Sequence, residues 1–571
     1  MSLNTVMLHR GPLEMKPGEK SSVLKSGENI WHFHGGLKLP GHKDMSVQTA
    51  IARMPAAERY VIPLNQHMGA EGEILVKPGE TVLKGQMLAR PHGMISAAIH
   101  SPASGKVVEI APHHFPHPSG LPGTSIVIAN DHKETWVERN AAGDAYQGMS
   151  SHELRNLVRD AGIVGLGGAT FPAAVKQTEV GIDTLILNGV ECEPYITCDD
   201  MLMRERADDI VKGTKIIAHI IKAEQSIIAI EDNKPEAIAA VTSAVERDGN
   251  ENITVQSVPT IYPSGGERQL IKVLTGKEVP VNGLPSDIHV LCHNVATAYA
   301  IYKAVYQAEP LISRIVTVTG RGINAPRNLE VDIGTSIHDC IEYCGGYKKE
   351  ARALIMGGPM MGLTLETDQL PVIKGTNCLL ITAGIDITLP TSKVHMPCIR
   401  CGKCVDVCPA NLLPQQLYWF AGRKDYDRAV EYNLFDCIEC GCCAYVCPSQ
   451  IPLVQYYRYA KSDIWEKERE RKKSDIARQR HEHKLERLER QKQEREQRLK
   501  NKRDALKKNK GSRDKELDKK KELIAEALAR VNAKKSKQKV NVKNIDNLTP
   551  EQQQKIREAD ARREQMKKHE S

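Results

Sequence analysis

Aromatic side chains are scarce in this chain. Phe, Trp and Tyr make up 4% of its 571 residues, and none follows Trp465. A segment without aromatic platforms cannot stack bases along a single strand, so its cationic tail is not read as a nucleic-acid binder. Long apolar runs are missing too: nothing approaches the roughly 18 uninterrupted residues of a membrane-spanning helix. The opening MSLNTVMLHRGPLEMKPGEK also lacks the apolar core of about 7 to 15 residues that marks a secretory signal. The expectation is a cytoplasmic protein able to sit on a membrane through partners.

The formal charge of +8 hides an asymmetry. Residues 461–571 carry 37 Lys+Arg against 22 Asp+Glu, a net of +15, whereas residues 1–460 carry 42 against 49, a net of −7. An acidic body thus bears a basic tail. Leucines in the tail (Leu485, Leu488, Leu499) are scattered and sustain no heptad seam. A solvated helix or disorder is expected there, with contact to anionic lipid headgroups as the alternative.

Fifteen cysteines in such a chain argue for metal or redox chemistry in a reducing compartment and not for a disulfide framework. Eight of them fall in two copies of C-x2-C-x2-C-x3-C-P: CIRCGKCVDVCP (Cys398, Cys401, Cys404, Cys408) and CIECGCCAYVCP (Cys437, Cys440, Cys443, Cys447). This spacing wraps three corners of a cubane iron–sulfur cluster in one short loop, and in two-cluster ferredoxins the fourth cysteine crosses to the other cluster. The expected ligand sets are therefore Cys398, Cys401, Cys404 and Cys447 for one 4Fe-4S cluster, and Cys437, Cys440, Cys443 and Cys408 for the other. Structural zinc sites favour separated cysteine pairs over four-cysteine runs. Cys442 is left over, expected as a small thiol packed beside a cluster. Two clusters form a wire, and a wire needs an electron source.

Three glycine-rich stretches bear on that source. GLGGATFPAAVK (165–176) follows a helical pattern, not a strand, and has Thr170 where a dinucleotide fingerprint needs glycine,. A phosphate cradle with Lys176 one turn in and a plain interhelical turn remain equally open. In TLILNGVECEPYITCDDMLM an apolar strand ends at Asn188 and meets Glu191 and Glu193; carboxylates there can meet a ligand or serve turns and caps. In YPSGGERQLIKVLTG, Ser264 and Glu267 have capping-box spacing,. The paired Gly265 and Gly266 suggest that something approaches the backbone closely. Downstream, His293 and Asn294 stand at the start of a further helix pattern.

Taken in order, G-x-G-G-A-x-F-P, N-x-x-E-x-E-P, the G-x-E helix start and the N-V-x-T turn resemble the NADH-binding flavoprotein subunit of respiratory complex I. That resemblance implies that Gly165, Gly167, Gly168, Lys176, Asn188, Glu191, Gly265 and Asn294 face FMN. It places Phe171, Glu193 and Glu267 toward the nicotinamide nucleotide. With WHFHGGLKLPGHK (31–43) and the doubled cysteine motif, residues 25–460 are similar to the RnfC family of the Rnf/Rsx electron-transport complexes. The family implies a peripheral subunit on the cytoplasmic face of the bacterial inner membrane. It would pass electrons between NADH, FMN and two 4Fe-4S clusters, coupled to ion translocation and to reduction of ferredoxin or a redox sensor. Its implied partners are the other subunits of a membrane complex and a ferredoxin-like subunit or soluble ferredoxin. No catalytic side chain is assigned, because the cofactors carry the chemistry. A cobalamin reductase built from the same parts, and a scaffold that conducts without NADH activity, remain as alternatives.

The expected fold class is multidomain α/β and α+β. An N-terminal segment (1–55) precedes a barrel-sandwich hybrid (56–130) resembling biotinyl and lipoyl carriers, with Met94 at the carrier-lysine position and hence no attachment point. An FMN/NADH-binding α/β domain (131–312) and a β-grasp, SLBB-like domain (313–385) follow. In the latter, Cys340 and Cys344 are four apart on a helix and are read as packing. A ferredoxin-type helical module (386–465) and the charged helical or disordered tail (466–571) complete the chain.

Overall fold

The computed structural model describes residues 30–177, 181–384, 395–508, 517–537 and 549–569; the expected boundary at 385/386 lies outside them. Two compact units divide between Arg469 and Glu470.

In the first unit, a four-stranded antiparallel sheet (order Arg59–Pro63, Gly123–Asn130, Gly105–His113, Thr81–Val82) accompanies a three-stranded one (Glu73–Ile74, Met87–Arg90, Ile99–His100). Alternating inward residues such as Tyr60 and Ile62, and Ile126 and Ile128, fill the core with Val82, Leu88, Ile99 and Val107, the period of two that a pleated strand imposes. Met94 is 70% exposed and offers no amine.

The next layer is a parallel sheet of β1 (Thr184–Gly189), β2 (Gln225–Glu231), β3 (Ile253–Val258) and β4 (Val290–Asn294), in the order β3-β2-β1-β4. TLIL reads as a continuous apolar run because both faces are covered. Leu185 and Leu187 enter one core with Ile228 and Ile230, while Ile186 enters another with Ile227, Leu270 and Leu274. The helices that matter for the site are α1 (Ser151–Asp160), α2 (Cys198–Glu205), α3 (Glu267–Thr275) and α4 (Val295–Gln307).

A six-stranded mixed sheet follows, ordered Ala52–Arg53, Arg327–Asp332, Ser313–Thr319, Cys378–Ala383, Ala351–Met356, Leu363–Leu365. Cys340 and Cys344, both fully buried, lie in its apolar core with Ile337, Ile341 and Val316. They are packing residues, as their apolar surroundings require.

The cysteine loops carry one-turn helices (Lys403–Asp406 and Cys442–Tyr445) and pack with Leu417, Leu434, Leu453 and Tyr457. Leu453 opens α5 (Leu453–Lys508); α6 (Leu517–Lys537) and α7 (Pro550–His569) follow. Leu485, Leu488 and Leu499 are each more than half exposed. The chain is a multidomain α/β protein, and no described helix is long and apolar enough to cross a membrane.

Candidate functional site

At the C-terminal ends of β1 and β4, Asn188 and Asn294 are register partners. Asn294 caps α4 by accepting from the Ala296 N–H (2.8 Å), and its amide donates to Asp199 (2.6 Å). Asn188 accepts from Val190 N–H (3.0 Å) and donates to the Gly265 carbonyl (2.9 Å). The glycine loop closes over this edge: Gly165 N–H donates to Phe171 O (2.8 Å), Thr170 N–H to Gly165 O (3.1 Å), and Leu166 N–H to Thr297 Oγ1 (3.0 Å). Gly167, Gly168 and Ala169 are exposed in sequence. Gly168 has φ +112° with open space where a Cβ would point, so glycine serves the backbone conformation there,.

Lys176 reaches into the same region and donates to Glu267 and to the Cys292 carbonyl, each at 2.5 Å. The Glu191 carboxylate accepts from Asp199 N–H (2.9 Å) and Asp200 N–H (3.4 Å) in the first turn of α2, where the helix dipole favours an anion. Burial first, and Glu191 second, push the Asp199 carboxyl up to about 7. Burial first, then Lys176, lower His293 to about 3, so its imidazole is neutral. The His293 Nε2 and Ser264 Oγ are buried without a hydrogen-bond partner among the described residues. Open loop backbone, one ammonium, two asparagine amides and buried orphan polar atoms form a donor set that fits a phosphate and a polar ring. The residues present therefore fit a flavin mononucleotide.

One sequence expectation changes here and another becomes specific. Ser264 does not cap the helix: α3 starts at Glu267 with Gly266 as its cap, and Glu267 pairs with Lys176 instead. The close approach inferred from Gly265-Gly266 is made by the chain itself. A Cβ on Gly265 would lie 2.4 Å from Val190 O, and one on Gly266 2.4 Å from Gln269 Oε1.

The cysteine loops line two cavities. One, of about 670 Å³, is bordered by Cys398, Cys401, Cys404 and Cys447 together with Trp419, Arg423 and Tyr432. The other, about 20 Å³, is bordered by Cys408, Cys437, Cys440 and Cys443, with Cys442 beside them. All these thiols are free, and the two cavities group them four and four, the ligand number of a cubane cluster,. Cys442 is fully buried.

The second group is tied to the sheet domain. Tyr262, three residues before the Gly265 turn, donates its hydroxyl to Cys440 O at 2.5 Å. His34 Nδ1 lies 3.0 Å from Cys408 O, and Gln269 Nε2 donates to Pro409 O at 3.5 Å. The Glu193 carboxylate accepts from Met360 N–H (2.6 Å) and Met361 N–H (3.0 Å), and Met360 O rests against Gly441.

Four family models match the chain in order: an RnfC barrel sandwich hybrid domain at residues 31–133, a Nuo51 FMN-binding domain at 158–303, an SLBB domain at 315–364 and a 4Fe-4S dicluster domain at 397–451. The C component of the ion-translocating oxidoreductase complex of Pseudomonas aeruginosa is 47% identical over 466 residues, 81% of this chain and 59% of that relative. The protein of the same description from Serratia proteamaculans is 44% identical over 509 residues, 89% of this chain and 70% of the relative. The chain belongs to the RnfC family of ion-translocating oxidoreductase complexes. It thus spans between 59% and 70% of these two family members. A chain of an NAD+-reducing NiFe hydrogenase in the H2-reduced state is similar at TM-score 0.40 and 19% identity, over 56% of this chain and 63% of that one. An FMN-type domain and an iron–sulfur dicluster domain thus lie on one chain, on either side of an SLBB domain.

Gly165, Gly167, Gly168, Lys176, Asn188, Glu191, Gly265, Glu267 and Asn294 meet around one sheet edge. Phe171 closes the glycine loop through its carbonyl. Glu193 instead holds the Met360–Met361 backbone. Sequence reading gave no role to Lys43, whose ammonium donates to the carbonyls of Glu191 (2.7 Å), Glu193 (3.1 Å) and Ile196 (2.6 Å) and fixes the loop after β1. It also missed Tyr262 and Asp199. Lys43 and Tyr262 lie in or beside the motif stretches, but only contacts distant in sequence reveal what they do.

Proposed function

We propose that this chain is the peripheral subunit that passes electrons between NADH, FMN and two 4Fe-4S clusters, on the cytoplasmic face of a bacterial inner-membrane complex. The complex would couple this transfer to ion translocation and to reduction of a ferredoxin or redox-sensor protein, as the names of its relatives suggest for translocation. Gly165, Gly167, Gly168, Lys176, Asn188, Glu191, Gly265 and Asn294 would hold the flavin, and Phe171 and Glu267 would face the nicotinamide. Glu193 would fix the loop beneath it. The tail would touch anionic headgroups.

When bound, FMN supplies the exchange between paired and single electrons, and the clusters carry single electrons. The protein's own part is positional. Lys176 and the exposed loop backbone present positive charge to a phosphate. Neutral His293 and the Asn188 and Asn294 amides keep the ring pocket polar without adding net charge. The observation carrying this reading is Tyr262. Its peptide leads into the flavin-side Gly265 turn while its hydroxyl bonds Cys440 O, which joins the two candidate centres by protein structure.

The test is anaerobic. The chain is reconstituted with iron, sulfide and FMN, and its visible spectrum is followed on adding NADH. Flavin and cluster bands should bleach, and Lys176→Ala should lose FMN on gel filtration and with it the response. Clusters that accept electrons from dithionite but ignore NADH, with FMN washing off the wild type, would leave a conducting scaffold and sink the proposal.

A further inference from the structure

Among the described helices of the second unit, α6 sorts its charges by side and its neighbours do not. In α6 (Leu517–Lys537), positions advance by about 100° per residue. On that wheel Leu523, Ala527, Val531, Ile524 and Leu528 share one arc of about 140°. Leu523 (63%), Ile524 (59%), Leu528 (56%) and Val531 (52%) are exposed, a stripe no other described element covers.

The cations sit with this stripe. Lys520 and Lys534 fall inside the arc, and Lys521 and Arg530 lie about 20° beyond its two edges. Glu522 and Glu526 occupy the opposite side, where Arg530 reaches back to Glu526 at 3.4 Å. A protein groove dry enough to cover the leucines would bury Lys520 and Lys534, at high cost unless each met a partner. A second copy of the helix would set cation against cation along both margins. At a bilayer surface the conflict vanishes: the apolar side chains enter the acyl boundary while lysine stems lie along them and lift their ammonium groups to the headgroups.

The geometry points to α6 as an amphipathic helix that lies flat on anionic lipid, its Leu523–Val531 face inserted and Lys520, Lys521, Arg530 and Lys534 at the phosphates. This rests on the reading that the tail touches headgroups, and adds that the contact is insertion by one face of one helix, not diffuse attraction of the +15 segment.

The full chain would be floated with vesicles of phosphatidylcholine alone and of phosphatidylcholine mixed with phosphatidylglycerol. It should float with the mixed vesicles only. Ile524→Asn with Leu528→Asn keeps every charge and should weaken binding by about tenfold or more, because two inserted side chains are withdrawn. Lys520→Gln with Lys534→Gln should weaken it as well. Both variants should keep the wild-type helical circular dichroism, since none of these side chains packs in a core. A double Asn variant that floats like wild type would overturn the insertion while leaving electrostatic contact of the tail intact. A wild type that floats with neither vesicle, or that prefers polyglutamate to lipid, would overturn both.

Discussion

Arg400 and Glu439 occupy equivalent places in the two cysteine loops, and both take left-handed backbone, φ 57° and 59°. Gly402 and Gly441 follow at φ 82° each, and Asn411 and Gln450 come later at 52° and 51°. The loops are one conformation repeated, yet their surroundings differ. Cys401 is exposed, whereas Cys440 is 7% exposed. Ile399 is 67% exposed, while Ile438 packs with Tyr262, Leu37 and Met360. Space around Gly402 is open, but Gly441 lies against Met360 O. Glu439 is held by Arg458 (2.8 Å) and Lys461 (2.9 Å). A repeated motif thus fixes how thiols are presented, and its neighbours fix polarity and access, the variables that set a cluster's potential.

The strongest way to break this contrast is to remove ligands. Cys398→Ser and Cys437→Ser should each lower reconstituted iron per chain by about half. In the reduced-state paramagnetic resonance spectrum, Cys447→Ser should match Cys398→Ser, and Cys408→Ser should match Cys437→Ser. The opposite matching would refute the crossed ligand sets.

Next comes the glycine pair. Gly402→Ala and Gly441→Ala both force alanine into left-handed backbone, at about 1 to 2 kcal/mol. Only Gly441→Ala also drives a Cβ to 2.8 Å from Met360 O, and it should cost about 1 to 3 kcal/mol more by overpacking. Equal losses in thermal unfolding would show that the Met360 contact is not tight.

Tyr262→Phe should cost about 1 kcal/mol for the lost hydrogen bond. In a redox titration it should move the potential of the Cys437-side centre and leave the Cys398-side centre unmoved. The smallest effect belongs to Ile399→Ala, expected within about 0.5 kcal/mol. Ile438→Ala should exceed it clearly in the same unfolding measurement.

Much of this was readable in the residues. The thiol spacing, the strand ending at Asn188, the helix capped by Asn294 and the core role of Cys340 and Cys344 follow from local rules of period and capping. Ser264 and Glu267 misled because the capping-box spacing was met while the tertiary structure turned Glu267 toward Lys176 across 91 positions. Gly265 and Gly266 signalled a close approach that does occur, but glycine does not say whether a ligand or the chain itself approaches.

The sequence by itself determined the repeated loop and the spacing of its thiols, since neighbours within about ten positions are held by covalent connection and turn geometry. Only the tertiary structure decided that the Ile438–Gly441 turn packs on the flavin-type domain while the Ile399–Cys401 turn is open to solvent. That choice depends on contacts such as Tyr262 to Cys440, 178 positions apart. No local pattern encodes which distant surfaces will pack.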